Sequence, residues 1–169
     1  MQIVELRYIR VNVGNDTIPL TDPEVSMSYS EAKTRKDLID PTIQRAGWNL
    51  NNQTQVDIEI PVDGYNATPW NGITDYVLFR ENGEVLAVIE AKKTTHEPRL
   101  AQQQTEHYIT KIEKHQSFRP FGFMTNGIDI QFWDSLSSNP RLVRGFFSRS
   151  DLERLLALKE KILCNRCSE

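Results

Sequence analysis

Several features that mark other protein classes are scarce in this chain of 169 residues. Two cysteines are too few for a disulfide scaffold, so we expect a reducing environment. The 20 Lys and Arg against 23 Asp and Glu give a net charge of −3, which excludes a generally basic nucleic-acid coat but not a local basic groove. No apolar run approaches the roughly 18–20 residues of a membrane span, and the charged N-terminus lacks the apolar region of a signal peptide. We therefore expect a cytoplasmic protein without a membrane segment.

What the chain does contain is enough apolar material for a core. Hydrophobic residues make up 38% of it and charged residues 25%, which excludes wholesale disorder. The length fits one domain, and we see no repeat and no low-complexity stretch. We expect a strand-and-loop extension at residues 1–27, a core at 28–149, and a C-terminal helix and tail at 150–169.

The first part of the core carries helix signals. Ser28 and Glu31 fit a capping box, in which a hydroxyl and a carboxylate satisfy orphan amides of the first turn. Proline disfavours helical geometry in the residue before it, so the helix should break at Asp40. Pro41 should then open a second short helix, closed by Gly47.

Apolar runs separated by turn residues predict strands in the rest of the core. Two Asn-Gly turns lie among them, at residues 82–83 and 126–127. Helices are predicted from Pro98 to about Lys114 and from a capping box at Ser150. The predicted strands cover residues 55–60, 72–79, 85–92, 121–125, 128–133 and 142–147. Helices that flank apolar strands predict an α/β fold with both sheet faces covered.

The first Asn-Gly turn allows the hairpin register to be counted. A two-residue turn pairs Glu81 with Glu84, and counting back along both strands places Asp75 directly opposite Glu90. Lys92 lies two residues beyond Glu90 and shares its face. The other residues predicted on that face are Val77, Phe79, Leu86 and Val88, and the opposite face carries Tyr76, Leu78, Ala87 and Ile89.

Two carboxylates directly opposite each other destabilise a sheet unless a cation compensates them. A hard divalent ion such as Mg²⁺ does so, and it polarises a bound phosphodiester and helps to ionise water. The ammonium of Lys92 can orient that water or stabilise the developing negative charge. The alternative is that Asp75 and Glu90 are unrelated residues at strand ends, which a one-residue register slip would produce.

These residues also carry a resemblance to a known family. Asp75 followed by Glu90-Ala91-Lys92 resembles the D…(D/E)xK nuclease superfamily, and more narrowly the N-terminal endonuclease domain of the type I restriction enzyme R subunit. In such nucleases the residue before the first aspartate is often proline, and here it is Thr74. The further matching stretches are Ser30–Arg35, Leu38–Pro41, Gly47-Trp48, Val88–Lys93, Gln104–Tyr108 and Thr125–Gly127.

The resemblance implies a restriction-endonuclease-like mixed central β-sheet flanked by helices, and Mg²⁺-dependent cleavage of double-stranded DNA, with Mn²⁺ as a substitute. Asp75 and Glu90 would bind the metal and Lys92 would be catalytic. The Ala91 carbonyl and Glu31 are further metal-ligand candidates, and Gln104 and Tyr108 would position DNA.

Type I R subunits also contain ATP-driven motor domains and work with methylation and specificity subunits. The chain has no Gly-x-x-x-x-Gly-Lys-Ser/Thr loop, so ATP would bind only in a full-length subunit. The chain is therefore either a piece of such a subunit or a stand-alone relative. The alternative functions are an independent repair or resolvase-type nuclease, and a non-catalytic docking module on the same fold.

Several residues also have purely structural interpretations. Gln104 can be a structural glutamine bonded to a loop carbonyl or to the Tyr108 phenol, and Glu31 can be only a capping carboxylate. The three histidines are expected at the surface, the tryptophans as core or loop anchors, and the pair Cys164 and Cys167 as incidental. Candidate phosphate contacts, each otherwise a solvated side chain, are Lys33, Arg35, Lys36, Arg45, Lys93, Arg99, Lys111 and Lys114.

Overall fold

A computed structural model of the chain describes residues 30–61, 73–93, 96 and 101–166. The predictions for residues 1–27, Ser28, Trp70, Pro98 and Arg99 lie outside these ranges. Four α-helices and six strands are present in the described residues. The helices are α1 (Glu31–Thr34), α2 (Asp40–Arg45), α3 (Gln102–Glu113) and α4 (Arg149–Arg166), and a π-helical turn (Arg35–Ile39) joins α1 to α2. The strands are β1 (Val56–Pro61), β2 (Ile73–Phe79), β3 (Val85–Ala91), β4 (Phe121–Thr125), β5 (Ile130–Trp133) and β6 (Arg141–Val143).

The six strands form one sheet in the order β1-β2-β3-β4-β5-β6. Neighbouring strands are antiparallel except β3 and β4, which are parallel and are connected through α3. A parallel pair requires such a crossover connection, whereas the antiparallel pairs need only short turns. The predicted mixed central sheet flanked by helices is thereby confirmed.

Each face of the sheet is covered by different helices. On one face the main core cluster joins Ile39 and Ile43 of the N-terminal helices and Leu152 of α4 to the β2 and β3 side chains Tyr76 and Ile89. On the other face Ile109 of α3 packs against Val77 and Val88. Because side chains alternate between the two faces along each strand, the sheet contributes to a separate core on each face.

The N-terminal helical region differs from the predicted break at Asp40. Asp40 keeps helical geometry, with φ −51° and ψ −51°, and its N–H bonds to the carbonyl of Arg35 in the wide π pattern. The helical path therefore continues into α2, in which Pro41 occupies the first turn as predicted. The π turn absorbs an extra residue where the prediction placed a break. Before α1 the Ser30 hydroxyl accepts the Lys33 N–H at 3.3 Å. The predicted cap at Ser28 stays a prediction.

The N-terminal helices are attached to β2 by a tyrosine. The Tyr76 hydroxyl donates to Oδ1 of Asp40 at 2.7 Å. Burial, together with the hydrogen bond to Asp40, raises the pKa of the Tyr76 phenol well above its ordinary value. The phenol therefore stays protonated as a donor and holds the start of α2 against the sheet.

A turn between β4 and β5 supports the same helices from another side. Gly127 has φ +87°, and a Cβ at this position would lie 2.8 Å from Leu38 Cδ1 and 2.9 Å from Thr34 Cγ2. Only glycine fits both the backbone conformation and the close approach. The side chain of Asn126 closes the turn by accepting the N–H groups of Ile128 and Asp129. The helical segment that contains Arg35 therefore packs against the Thr125-Asn126-Gly127 turn.

The C-terminal part of the chain corrects two predictions. Strand β6 ends at Val143, so the strand predicted to Phe147 is too long: Phe146 and Phe147 instead leave the sheet and pack on Phe123 with ring centroids 5.2 and 5.7 Å apart. Helix α4 is capped by Ser148, not Ser150, since the Ser148 hydroxyl accepts the Asp151 N–H at 3.2 Å and donates to its carboxylate at 2.7 Å. The domain boundary proposed at residue 150 stays a prediction.

Candidate active site

The hairpin between β2 and β3 sets the register of the candidate site. Its loop contains three residues, not two, because Arg80 donates to the carbonyl of Glu84 and Gly83 takes φ +86°. The predicted pairing of Glu81 with Glu84 is therefore wrong. Asn-Gly favours two-residue turns, but here the loop has three residues and ends in a glycine with left-handed backbone geometry.

A second irregularity compensates for the longer loop. Phe79 pairs with Val85, and the register then shifts by one so that Leu78 pairs with Ala87. This bulge leaves Leu86 out of the ladder, so the predicted pairing of Phe79 with Leu86 is wrong and Leu86 joins the main core. Beyond the bulge, the predicted pairing of Val77 with Val88 is confirmed. The strands therefore return to the predicted register before Asp75 and Glu90, which that register places opposite each other.

Glu90 and Lys92 form a buried ion pair at the end of β3. The Glu90 side chain is 3% exposed, and its Oε1 lies 3.0 Å from Nζ of Lys92. The two residues share a face because they are two apart, as predicted. The Lys92 N–H also donates to the Thr125 carbonyl at 2.8 Å, which extends the contact with β4 by one residue beyond β3. The ammonium is thus held at a defined position above the sheet.

Helix α3 brings Gln104 and Tyr108 to the same ammonium. Nζ of Lys92 donates to Oε1 of Gln104 at 2.9 Å, and Nε2 of Gln104 donates to the Tyr108 hydroxyl at 2.9 Å. The bond to the Tyr108 phenol is the one that the structural interpretation predicted. Gln104 also contacts Lys92, so the same side chain bonds both to the phenol and to the ammonium. Helix α3 lies close to the sheet because Gly122 has no side chain. A Cβ at this position would come within 2.7 Å of Thr105 Cγ2.

Asp75 is held by groups on both sides. Its Oδ2 accepts the backbone N–H of Ala91 at 2.7 Å, which ties it to the residue between Glu90 and Lys92. Its Oδ1 lies 3.0 Å from Nη1 of Arg35, which comes from the π turn. The side chain is 13% exposed. The two predicted acidic residues are therefore neighbours, each with its own cation.

Arg35 and its second partner Glu59 were missed as site residues. Arg35 was expected on a solvated helix face or at a DNA phosphate, but its side chain is only 21% exposed and also reaches Glu59 Oε1 at 2.7 Å. Burial lowers the pKa of the guanidinium, but Glu59 and Asp75 outweigh it and raise the pKa above its ordinary value. The only sequence signal was that Arg35 ends the Ser30–Arg35 stretch. Nothing marked Glu59.

The remaining predicted residues fall into three groups. The side chain of Glu31, and those of Cys164 and Cys167, lie outside the described part of the structure, so their roles stay predictions. Trp48 and Trp133 are buried anchors as expected, with indole N–H bonds to the carbonyls of Phe147 and Ser138. His96 and His115 are exposed, as predicted, and His107 is half-buried beside Tyr108 with ring centroids 5.9 Å apart.

The donor set agrees with Mg²⁺ chemistry in kind. Mg²⁺ is commonly held by one or two carboxylates, with water and substrate phosphate completing its shell. Asp75 and Glu90 supply two such carboxylates next to each other. In the described ranges no group of three or more His, Cys, Asp or Glu side chains is arranged to hold a metal. Two carboxylates are the number that Mg²⁺ commonly takes from a protein.

Comparison with a solved structure first defines the fold class. The chain is similar to a fragment described as an HsdR subunit of a type I restriction enzyme from Vibrio vulnificus, with a TM-score of 0.65 and 23% identity. The match covers 80% of this chain and 27% of that chain, so this chain spans about a quarter of the length of the matched fragment. The likeness establishes the fold, an α/β mixed sheet flanked by helices.

None of the helices in the described residues has an apolar stretch long enough to span a membrane.

The sequence identifies the family within that class. The model of the type I restriction enzyme R protein N terminus matches residues 55–141, which contain Asp75, Glu90, Lys92, Gln104 and Tyr108. The chain belongs to this family, which confirms the predicted membership. Arg35 lies before the matched segment. No protein of curated function matches the chain.

Proposed function

We propose that the chain is the Mg²⁺-dependent endonuclease domain of a type I restriction enzyme R subunit, and that it hydrolyses phosphodiester bonds of double-stranded DNA. The observation that carries the proposal is the position of the Lys92 ammonium. It lies 3.0 Å from the Glu90 carboxylate and 2.9 Å from the Gln104 amide oxygen, beside the backbone amide that binds Asp75. A cation held this way is pre-organised to act on a reacting phosphate.

Asp75 and Glu90 would hold the divalent cation, with the Ala91 carbonyl and Glu31 as further ligand candidates. When bound, the ion supplies Lewis-acid polarisation of the phosphodiester and lowers the pKa of a coordinated water. Mn²⁺ would substitute for it. Carboxylates bind such an ion in their ionised form. Arg35 and Lys92 lie beside Asp75 and Glu90 and compensate their charge.

Lys92 would stabilise the negative charge that develops on the phosphoryl oxygens or orient the attacking water. Gln104 fixes the ammonium by accepting a hydrogen bond from it, and Tyr108 fixes Gln104 by accepting a hydrogen bond from its amide. This relay of hydrogen bonds sets the direction of Lys92 before DNA arrives. Gln104 would thereby also position DNA, and Tyr108, whose side chain is buried, would contribute to that positioning by holding Gln104.

The wider assignment follows from the family. A full-length R subunit would bind ATP in its motor domains, act with methylation and specificity subunits, and work on double-stranded DNA in the cytoplasm. Those partners and that location are part of the proposal. This chain would contribute the hydrolytic step.

The test is nicking of supercoiled plasmid by the chain, with Mg²⁺ or Mn²⁺ and with a chelator. We expect metal-dependent nicking by the wild type and by Lys161→Met, a control in which an exposed lysine of α4 is removed. Glu90→Gln should lose it. Equal nicking by wild type and Glu90→Gln, or nicking that survives chelation, would contradict the proposal.

A further inference from the structure

Arg35 joins two carboxylates that lie on adjacent strands. Its Nη1 lies 3.0 Å from Asp75 Oδ1 and its Nη2 lies 2.7 Å from Glu59 Oε1. The two carboxylates are neighbours across the ladder, since the pairs Ile58–Tyr76 and Ile60–Thr74 flank them. The guanidinium fork is suited to such two-point contact because its donors are fixed in one plane.

The two partners of Arg35 differ in exposure. The Asp75 side chain is 13% exposed, whereas that of Glu59 is 60% exposed. Glu59 also has φ +58°, which among the described non-glycine residues is found only here. A glutamate rarely adopts this conformation, and such strain is concentrated at functional sites. The chain therefore holds an unfavourable backbone at the residue that gives Arg35 its second, water-facing partner.

A divalent cation and Arg35 compete for the same carboxylate. Oδ2 of Asp75 accepts the Ala91 N–H and Oδ1 accepts from Arg35, so a metal that binds Asp75 meets a guanidinium already in contact with it. Two cations on one carboxylate repel each other, and the repulsion is strong where the carboxylate is mostly shielded from water. Binding of the metal and contact with Arg35 are therefore linked, each weakening the other by the same factor.

We propose that Arg35 is a positioning residue that holds Asp75 when no divalent cation is bound, and that it moves entirely onto Glu59 when Asp75 binds the cation. This inference rests on the proposed metal site. Glu59 already shares the guanidinium, so the transfer breaks one ion pair and keeps the other. The exchange keeps the site close to neutral in both states, which spares Asp75 an uncompensated charge before metal and DNA arrive.

The experiment is calorimetric titration of the full chain with Mn²⁺ alone, without DNA. The variants are Arg35→Met, Glu59→Gln, the double variant, and Arg45→Met as a control that removes an exposed arginine of α2. Removing the competitor should tighten Mn²⁺ binding about tenfold in Arg35→Met. Removing the alternative partner should leave Arg35 on Asp75 and weaken binding about threefold in Glu59→Gln. Arg45→Met should bind like the wild type.

The double variant separates the proposed exchange from simple charge effects. If Glu59 acts through Arg35, the Glu59→Gln change should have no effect on Mn²⁺ affinity once Arg35 is methionine. An effect of Glu59→Gln that is equal in both backgrounds would overturn the inference, as would unchanged or weaker binding in Arg35→Met. Should Arg35→Met fail to fold, Arg35→Lys keeps the charge without the fork, and an intermediate gain in affinity is expected.

The outcomes also separate this inference from the proposed function. Wild-type protein that binds no Mn²⁺ contradicts the metal site and this exchange together. Binding that is lost in Asp75→Asn but unaffected by Arg35→Met contradicts only the exchange. Circular dichroism of each variant without metal shows that the comparison is between folded proteins.

Discussion

The two halves of the candidate site hold their carboxylates by different means. Glu90 receives its cation from Lys92, two residues away on the same chain segment, and is 3% exposed. Asp75 receives its cation from Arg35, 40 residues earlier in sequence, and is 13% exposed. Strand alternation alone brings the first pair together. The second pair forms only if the N-terminal helices dock against the sheet. The Lys92 half is therefore set by local strand geometry, whereas the Arg35 half depends on the tertiary packing of the N-terminal helices.

The same contrast extends to the supports of each half. Helix α3, which contributes Gln104, approaches the sheet over Gly122, and the helices that lead to Arg35 approach over Gly127. Each glycine permits a contact that a side chain would block. Substitution at one glycine should therefore disturb one half and spare the other.

The largest effect should come from breaking the Lys92 half at its cation. Lys92→Met should reduce metal-dependent DNA nicking by about 100-fold or more, since a pre-organised charge at the reacting group is lost. Initial rates of plasmid nicking at saturating Mg²⁺ measure this, with melting temperature as the check on folding. A reduction below about threefold would show that the ammonium has no part in the reaction.

The next largest effect, here on stability, should follow from damaging the support of the Arg35 half. Gly127→Ala places a Cβ at 2.8 to 2.9 Å from Leu38 and Thr34 in a left-handed backbone, and should cost about 2 kcal/mol of unfolding free energy. Urea unfolding measures it. Amide NMR shifts should change around Arg35 and remain in place at Gln104. The reverse pattern would contradict the division of the site into two halves.

A smaller effect should come from removing the polar contact between α3 and Lys92. Gln104→Leu removes the acceptor at 2.9 Å from Nζ, and nicking should fall about tenfold because the ammonium loses its orientation. The matched control is Gln103→Leu at the adjacent exposed position. Identical rates in the two variants would indicate that Gln104 is structural only.

The smallest effect should come from an ion pair outside the site. Asp134 accepts from Lys159 and Ser137, each at 2.7 Å. Burial opposes ionisation, but these bonds outweigh it and lower the pKa of Asp134 below its ordinary value. Asp134→Asn should cost about 1 kcal/mol near pH 7 without changing nicking. Because the folded-state pKa is the lower one, the difference between wild type and variant should shrink as the pH falls below about 4. A difference that grows on acidification would contradict the cause assigned here.

The sequence predicted the relative positions of Glu90 and Lys92 correctly, although its hairpin count contained an error that a bulge cancels. The Asn82-Gly83 turn predicted a hairpin, but its loop is one residue longer than counted, and the bulge at Leu86 restores the register. Local alternation then placed Asp75, Glu90 and Lys92 together. The count succeeded because buried apolar faces on both sides specify the register independently of the turn.

The Arg35 half could not be predicted because nothing local determines it. A π turn continues the helix past Asp40, and its position over the sheet depends on Gly127 and on the Tyr76–Asp40 bond. These are contacts between residues far apart in sequence. Glu59 gave no signal either, since an exposed glutamate in an alternating strand is ordinary until its φ is known. The cap of α4 lies two residues before the predicted one because Ser148 and Ser150 both fit the pattern at the start of this helix.

The central claim is that Asp75 and Glu90 together bind a divalent cation. Its most direct test is calorimetric titration of Mg²⁺ or Mn²⁺ into wild type, Asp75→Asn and the control Asp57→Asn, which removes a half-buried carboxylate from neighbouring β1. We predict one binding event in wild type and Asp57→Asn, and none in Asp75→Asn. Absence of binding by the wild type at millimolar metal with DNA present, or equal binding by Asp75→Asn, would contradict the account.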